Sequence, residues 1–173
     1  MLPEIKRILY TTDLSSNAAY AFRYAIKVAK EHGAGMTIMH VIPRMDPTMT
    51  VPIAAYMGVK KFYQLMKERK QEVIARMRTR LEKFTDKVLK ETPEVIESVK
   101  EIKVIEGDPA AEILEEVERG DYDLLIMGSH SKGLIPHAFL GDVVTKVLRR
   151  VTKPVLVVPI PKGKLDLTFE EGE

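Results

Sequence analysis

The sequence predicts an α/β protein, a single domain built on a doubly wound five-stranded parallel sheet with helices on both faces. Short apolar runs recur along the 173 residues, at Ile5–Tyr10, Met36–Ile42, Val99–Glu106, Leu124–Met127 and Val155–Val158. Stretches with apolar residues at helical spacing lie between them, long enough for the crossover that a parallel strand pair requires. A glycine-bearing loop follows the fourth run, at the carboxyl end of a strand, where open α/β sheets bind ligands.

Ile5–Tyr10 is the first expected strand and ends at Thr11-Thr12-Asp13. Ser15 or Ser16 can cap the helix that follows. Its face of Ala18, Ala21, Phe22, Ala25, Ile26 and Ala29 has small members that allow close packing on a sheet. Gly33 and Gly35 are read as its end, and Pro43 as the point where the second strand leaves the sheet. Residues 43–59, with three prolines, read as a long connection, either a surface excursion or a flap or partner contact beside the site.

A long helix over 60–91 carries the stripe Phe62, Met66, Val73, Met77, Leu81, Phe84 and Val88, expected to cover the sheet. It also holds eleven Lys or Arg against five Asp or Glu. Beside the apolar stripe Arg69, Arg76, Arg80, Lys83, Lys87 and Lys90 recur every three to four residues with no aromatic residue interleaved for base stacking, so this basic stripe reads as a solvated face, and nucleic acid is not an expected partner. Thr92-Pro93 ends that helix, and Gly107-Asp108-Pro109 opens the next, with Asp108 as N-cap and Pro109 at its first position.

The stretch 124–159 reads as one βαβ unit. The run Leu124–Met127 stops at Gly128, and Gly128, Gly133 and Gly141 lie where the chain leaves the strand and enters a helix. Residues without a Cβ there let main-chain N–H groups approach a ligand closely. The helix carries Val143, Val144, Val147, Leu148 and Val151, and Arg149, Arg150 and Lys153 complement the negative end of its dipole. Catalytic constellations are thin. His130 and His137 read as surface loop histidines, Met127-Gly128-Ser129-His130-Ser131 lacks a nucleophile-elbow pattern, and no Gly-Lys-Ser/Thr follows the glycines. No enzyme activity is expected.

Met127-Gly128-Ser129-His130, Leu140-Gly141 and Lys153-Pro154-Val155-Leu156-Val157-Val158 resemble the C-terminal signature of the universal stress protein family. That family's pattern G-x2-G-x9-G-[ST] fits in its spacing at Gly128, Ser131, Gly141 and Asp142, and departs in residue type at Ser131 and Asp142. The resemblance implies a Rossmann-like sheet of order 3-2-1-4-5, and an adenine-nucleotide pocket. Carried over residue by residue, it puts the adenine contact on Asp13 beside Thr11 and Thr12, and the pocket wall on Val41. Met127 and Gly128 fall on the ribose side, and Ser131, Gly141, Asp142 and Val143 on the phosphate side. Asp142 offers a carboxylate where the pattern has a hydroxyl, which points to AMP, or to ATP with Mg²⁺. The resemblance also implies a homodimer through an edge strand at Val155–Val158, in a cytoplasmic regulatory protein. A member that binds no nucleotide and acts by protein interaction, and an α/β nucleotide-hydrolase-type enzyme, are the alternatives.

Composition sets the frame. The chain is 45% hydrophobic and 30% charged, with formal net charge +2, no Trp and no Cys. Disulfide and thiolate chemistry are thereby excluded. Charges at Glu4, Lys6 and Arg7 break any signal-like apolar region, and no apolar run approaches a bilayer span, so no membrane partner is expected. A single asparagine, Asn17, and two glutamines, Gln64 and Gln71, lean towards a thermophile. One domain over 1–160 is expected, with 161–173 as a loose tail or dimer arm.

Overall fold

The structure, a computed structural model, describes residues 2–15, 18–44, 47–89, 97–129 and 140–161. The described elements are β1 (Arg7–Thr11), α1 (Ala18–His32), β2 (Gly35–Pro43), α2 (Pro47–Met57), α3 (Val59–Leu89), β3 (Val99–Gly107), α4 (Pro109–Arg119), β4 (Leu124–Gly128), α5 (Asp142–Leu148) and β5 (Val155–Val158). All strand pairs are parallel, and the sheet order is β3-β2-β1-β4-β5.

Strand alternation builds two cores from one sheet. In β1, Ile8 and Tyr10 pack with α1 and Met77 of α3, while Leu9 turns to α4 and α5. In β4, Leu124 and Ile126 share the first core, and Leu125 and Met127 the second. Both faces are apolar, which is why these strands read as unbroken apolar runs. The pairing Tyr10↔Ile126 and Thr11↔Met127 brings the carboxyl ends of β1 and β4 level.

Local chemistry sets the element ends. Gly33, at φ 60°, terminates α1 while the Ala34 and Gly33 amides donate to the Ala29 and Lys30 carbonyls, a Schellman closure that needs the left-handed region. Gly35 belongs to β2 instead of the helix end. The α1 entry uses the Ser15 carbonyl, which accepts from Ala18 N at 3.0 Å, in place of its hydroxyl; Ser16 lies outside the described residues. Asp108 caps α4 through Ala111 N at 3.0 Å, with Pro109 at the first helical position. On this face Glu116, 9% exposed, accepts from Lys103 Nζ at 2.6 Å and from the Tyr122 hydroxyl at 2.7 Å, so its buried charge is paired.

Three further expectations are corrected. Residues 47–57 of the long connection form α2, with Pro52 inside it. The helix α3 reaches the core through only part of its stripe. At 31 residues it spans about 46 Å, against roughly 30 Å for a nine-residue strand. Val73, Ile74 and Met77 reach the core, while Val59, Tyr63 and Leu65 stay exposed. The side chains of Leu81, Phe84 and Val88 lie outside the description, as do Thr92-Pro93 and residues 162–173. The helix α5 is also shorter than its apolar spacing implies, with Arg149 as its C-cap and Val151 beyond it.

Candidate functional site

A cavity of about 480 Å³ opens at the carboxyl ends of β1, β2 and β4. That volume lies within the range of roughly 300–1,000 Å³ typical of small-molecule sites. The sheet order creates it. After β1 the chain crosses to one side towards β2, and after β4 it crosses to the other towards β5, so the connections diverge between β1 and β4 and leave a crevice.

Of the residues singled out in the sequence, Thr11, Thr12, Asp13, Val41, Met127, Gly128, Gly141, Asp142 and Val143 all line this cavity. Ser131, His130 and His137 lie outside the described residues. The floor is apolar, from Met39, Val41, Met127 and Val144. The rim carries the carboxylates of Asp13 and Asp142, both exposed.

The β1–α1 loop that presents Asp13 is held from several directions. Thr12 N donates to the Met39 carbonyl at 2.9 Å, and Leu14 N to Thr12 Oγ1 at 3.1 Å. Asp13 Oδ1 accepts from Ser15 N at 2.9 Å, an Asx turn, so the carboxylate shapes its own loop. Leu14 sits at φ 61°, a left-handed conformation that leucine rarely adopts, and Arg80 of α3 donates to its carbonyl at 2.9 Å.

On the other wall, Ser129 is buried, and ties three segments together. Its amide donates to the Val158 carbonyl, its carbonyl accepts from Gly141 N at 2.8 Å, and its hydroxyl accepts from Ile160 N at 3.2 Å. Gly141 is the N-cap of α5 with no side-chain cap, and Asp142 occupies the first turn instead of capping. At Gly128 neither backbone nor packing demands glycine, because an added Cβ would meet Ala21 and Ile160 only at 3.6 Å, an ordinary contact. What a Cβ there would take is space beside the cavity.

Sequence reasoning missed His40. It lies in β2 between Met39 and Val41, lines the cavity, and places Nδ1 2.9 Å from the Thr12 carbonyl. A histidine inside an apolar strand, aligned with a turn 28 residues earlier, leaves no local signal. Pro109 and Ile113 at the start of α4, and Ile160 after β5, complete the lining from elements read only as scaffold. Among the described residues no cluster of three or more His, Cys, Asp or Glu could hold a metal by itself.

A sequence profile described as the universal stress protein family matches residues 4–159. Universal stress protein MJ0531 of Methanocaldococcus jannaschii is 31% identical over 157 residues, 91% of this chain and 84% of that protein. Universal stress protein MJ0577 of the same organism is 29% identical over 153 residues, 88% and 94% of the two chains. The solved structure of MJ0577 superposes with TM-score 0.68 at 25% identity, covering 93% of this chain and 100% of that one. UspA from Lactobacillus plantarum has TM-score 0.66 at 18% identity, with 91% and 99% covered. A universal stress protein solved in complex with cAMP shares the fold, with TM-score 0.54, 17% identity, and 92% and 100% covered.

Proposed function

Because the chain belongs to the universal stress protein family, we propose that it is a non-catalytic regulatory module whose cavity takes an adenine nucleotide, AMP or ATP with Mg²⁺. One observation carries the reading. Nine residues chosen from sequence for adenine, ribose and phosphate contacts line a single cavity at the sheet's switch point. The cAMP in one relative of this fold is of the same ligand class. Asp13 keeps a carboxylate oxygen beyond its turn bond to accept from an adenine amino group, and the apolar floor suits the faces of a base. Asp142 at the rim disfavours a polyphosphate. A magnesium ion fits here as a companion of the phosphates, since such ions are held by one or two carboxylates plus substrate oxygens. When bound it would neutralise phosphate charge.

The module is read as non-catalytic because Met127-Gly128-Ser129-His130-Ser131 lacks a nucleophile-elbow pattern and no Gly-Lys-Ser/Thr follows the glycines. No helix among the described residues is long and apolar enough to cross a membrane. The proposal extends to a cytoplasmic homodimer paired through β5. Calorimetry with AMP, with ATP, with ATP and Mg²⁺, and with GMP as control tests the pocket. Saturable binding of AMP and Mg-ATP but not GMP is the expected result, and no heat with any adenine nucleotide would overturn it.

A further inference from the structure

The helix α2 has no charged residue among its eleven, and it stands outside the two cores. Only Thr50, Ala54 and Met57 are half-buried, a single stripe at helical spacing; the rest of the described surface is exposed on both sides of that stripe. Met49 is 60% exposed, Val51 65% and Tyr56 95%, and the apolar surface continues onto α3 at Val59 and Tyr63. A contiguous apolar area of several hundred Å² on a soluble domain marks an interaction site.

Charge and shape select the occupant. Exposed Lys60 and Lys61 follow this apolar helix, and exposed Arg44 precedes it with Asp46 between, so the net charge flanking it is positive. A second copy meeting the same face would bring like charges together. A protein groove would cover one side of a helix, whereas α2 exposes apolar side chains around most of its circumference, which a fluid hydrocarbon boundary accommodates. Tyrosines at the edge of such a surface suit the headgroup level, where an apolar ring and a hydroxyl are both satisfied. At about 16 Å, α2 is half of what a hydrocarbon core requires, so it can enter an interface but not cross it. From these observations we infer that α2 and the start of α3 dock on an anionic lipid surface, apolar side chains inserted and Arg44, Lys60 and Lys61 at the phosphates.

Sedimentation of the full chain with phosphatidylcholine vesicles, with and without phosphatidylglycerol, tests this. Binding to the phosphatidylglycerol vesicles is expected at least about tenfold above phosphatidylcholine alone, and falls as salt is raised. Val51→Glu with Tyr56→Glu is expected to lower vesicle binding by about tenfold or more. Both positions are solvent-exposed, so the circular dichroism spectrum should not change. Lys60→Glu with Lys61→Glu is expected to remove the preference for the anionic lipid. Absence of vesicle binding overturns the inference, as does binding that the Val51 and Tyr56 substitutions leave unchanged. If the same substitutions instead dissolve a concentration-dependent assembly seen by light scattering without lipid, the occupant is a second copy and the lipid inference fails. Because it does not depend on the nucleotide pocket, either reading can fail without the other.

Discussion

The imidazole of His40 on β2 and the main-chain carbonyl of Thr12 after β1 lie 2.9 Å apart. A carbonyl oxygen only accepts, so Nδ1 carries the hydrogen, and in the neutral ring Nε2 is the acceptor. This bond joins the strand that forms one wall of the cavity to the loop that presents Asp13. Replacing His40 by Ala removes the donor, and costs on the order of 1 kcal/mol of loop order, or about fivefold in AMP affinity. His40→Asn, whose amide can donate from a similar position, is expected to recover most of the loss. Calorimetry on the two variants checks this; equal weakening in both would assign His40 a direct ligand contact instead of a positioning role.

Alkaline pH offers a test of the cores. Burial pushes the Tyr10 hydroxyl well above its usual range, and burial also raises that of Tyr122. The Glu116 carboxylate, hydrogen-bonded to Lys103, raises the lysine. All three groups hold protons more tightly folded than unfolded. Their stabilisation is therefore complete below the unfolded values, about 10 for tyrosine and lysine, and is lost as pH rises through the folded ones. The melting temperature is expected to hold from neutral pH to about pH 10 and to fall above it. Tyr10→Phe keeps the ring that packs 5.3 Å from Phe22 and loses the bond to the Ala18 carbonyl. It is expected to cost about 1 kcal/mol at pH 7 and to flatten the alkaline decline. An unchanged decline in this variant would mean that Tyr10 is not its source.

What could be read in the sequence follows from where the information is local. Apolar runs such as Leu124–Met127 are buried on both faces, so composition alone reveals them, and the Asp108-Pro109 entry announces its helix. The sequence of α2 reads as a connection because Pro47 and Pro52 are both disfavoured inside helices. Pro47 sits harmlessly in the first turn, and Pro52 removes a bond from a helix that already has little packing behind it. The partial coverage by α3 leaves no local signal, since Phe62 and Met66 continue the apolar spacing of Val73 and Met77 without joining the core. In the cavity, Asp13, Gly128 and Gly141 sit beside strand ends and carry their own signal. His40, Ile113 and Ile160 join only through long-range register.

The edge strand β5 yields a prediction about assembly. Among the described residues it pairs with β4 alone, and the contacts Leu125 N to the Pro154 carbonyl and Ser129 N to the Val158 carbonyl show which main-chain groups face inward. By alternation the main-chain groups of Val155 and Val157 point away from the sheet, a ready template for a second copy. Val157→Lys is expected to convert a dimer to a monomer in light scattering. Val157→Pro removes the outward N–H while leaving the β4 ladder intact, and should act in the same way. A wild-type chain that is monomeric at micromolar concentration would sink the idea.

On the proposed function, Asp142 is the residue expected to set which nucleotide the cavity accepts. It lies at the rim in the first turn of α5, exposed, with Gly141 before it supplying no side-chain cap. If a phosphate came within about 4 Å, the repulsion would reach roughly 4 kcal/mol at an effective dielectric near 20, and less with the solvent screening of an exposed carboxylate. A hydrogen bond from a serine hydroxyl in the same place contributes only about 1 kcal/mol. Charge therefore outweighs the lost donor, and the penalty grows with the number of phosphates. Asp142→Ser is expected to raise affinity for metal-free ATP by about tenfold or more, to raise that for AMP less, and to narrow the advantage that Mg²⁺ gives the wild type. Calorimetry with both nucleotides, with and without Mg²⁺, measures all three effects. Tight binding of metal-free ATP by the wild type, unchanged in the variant, would show that Asp142 turns its carboxylate away from the phosphates.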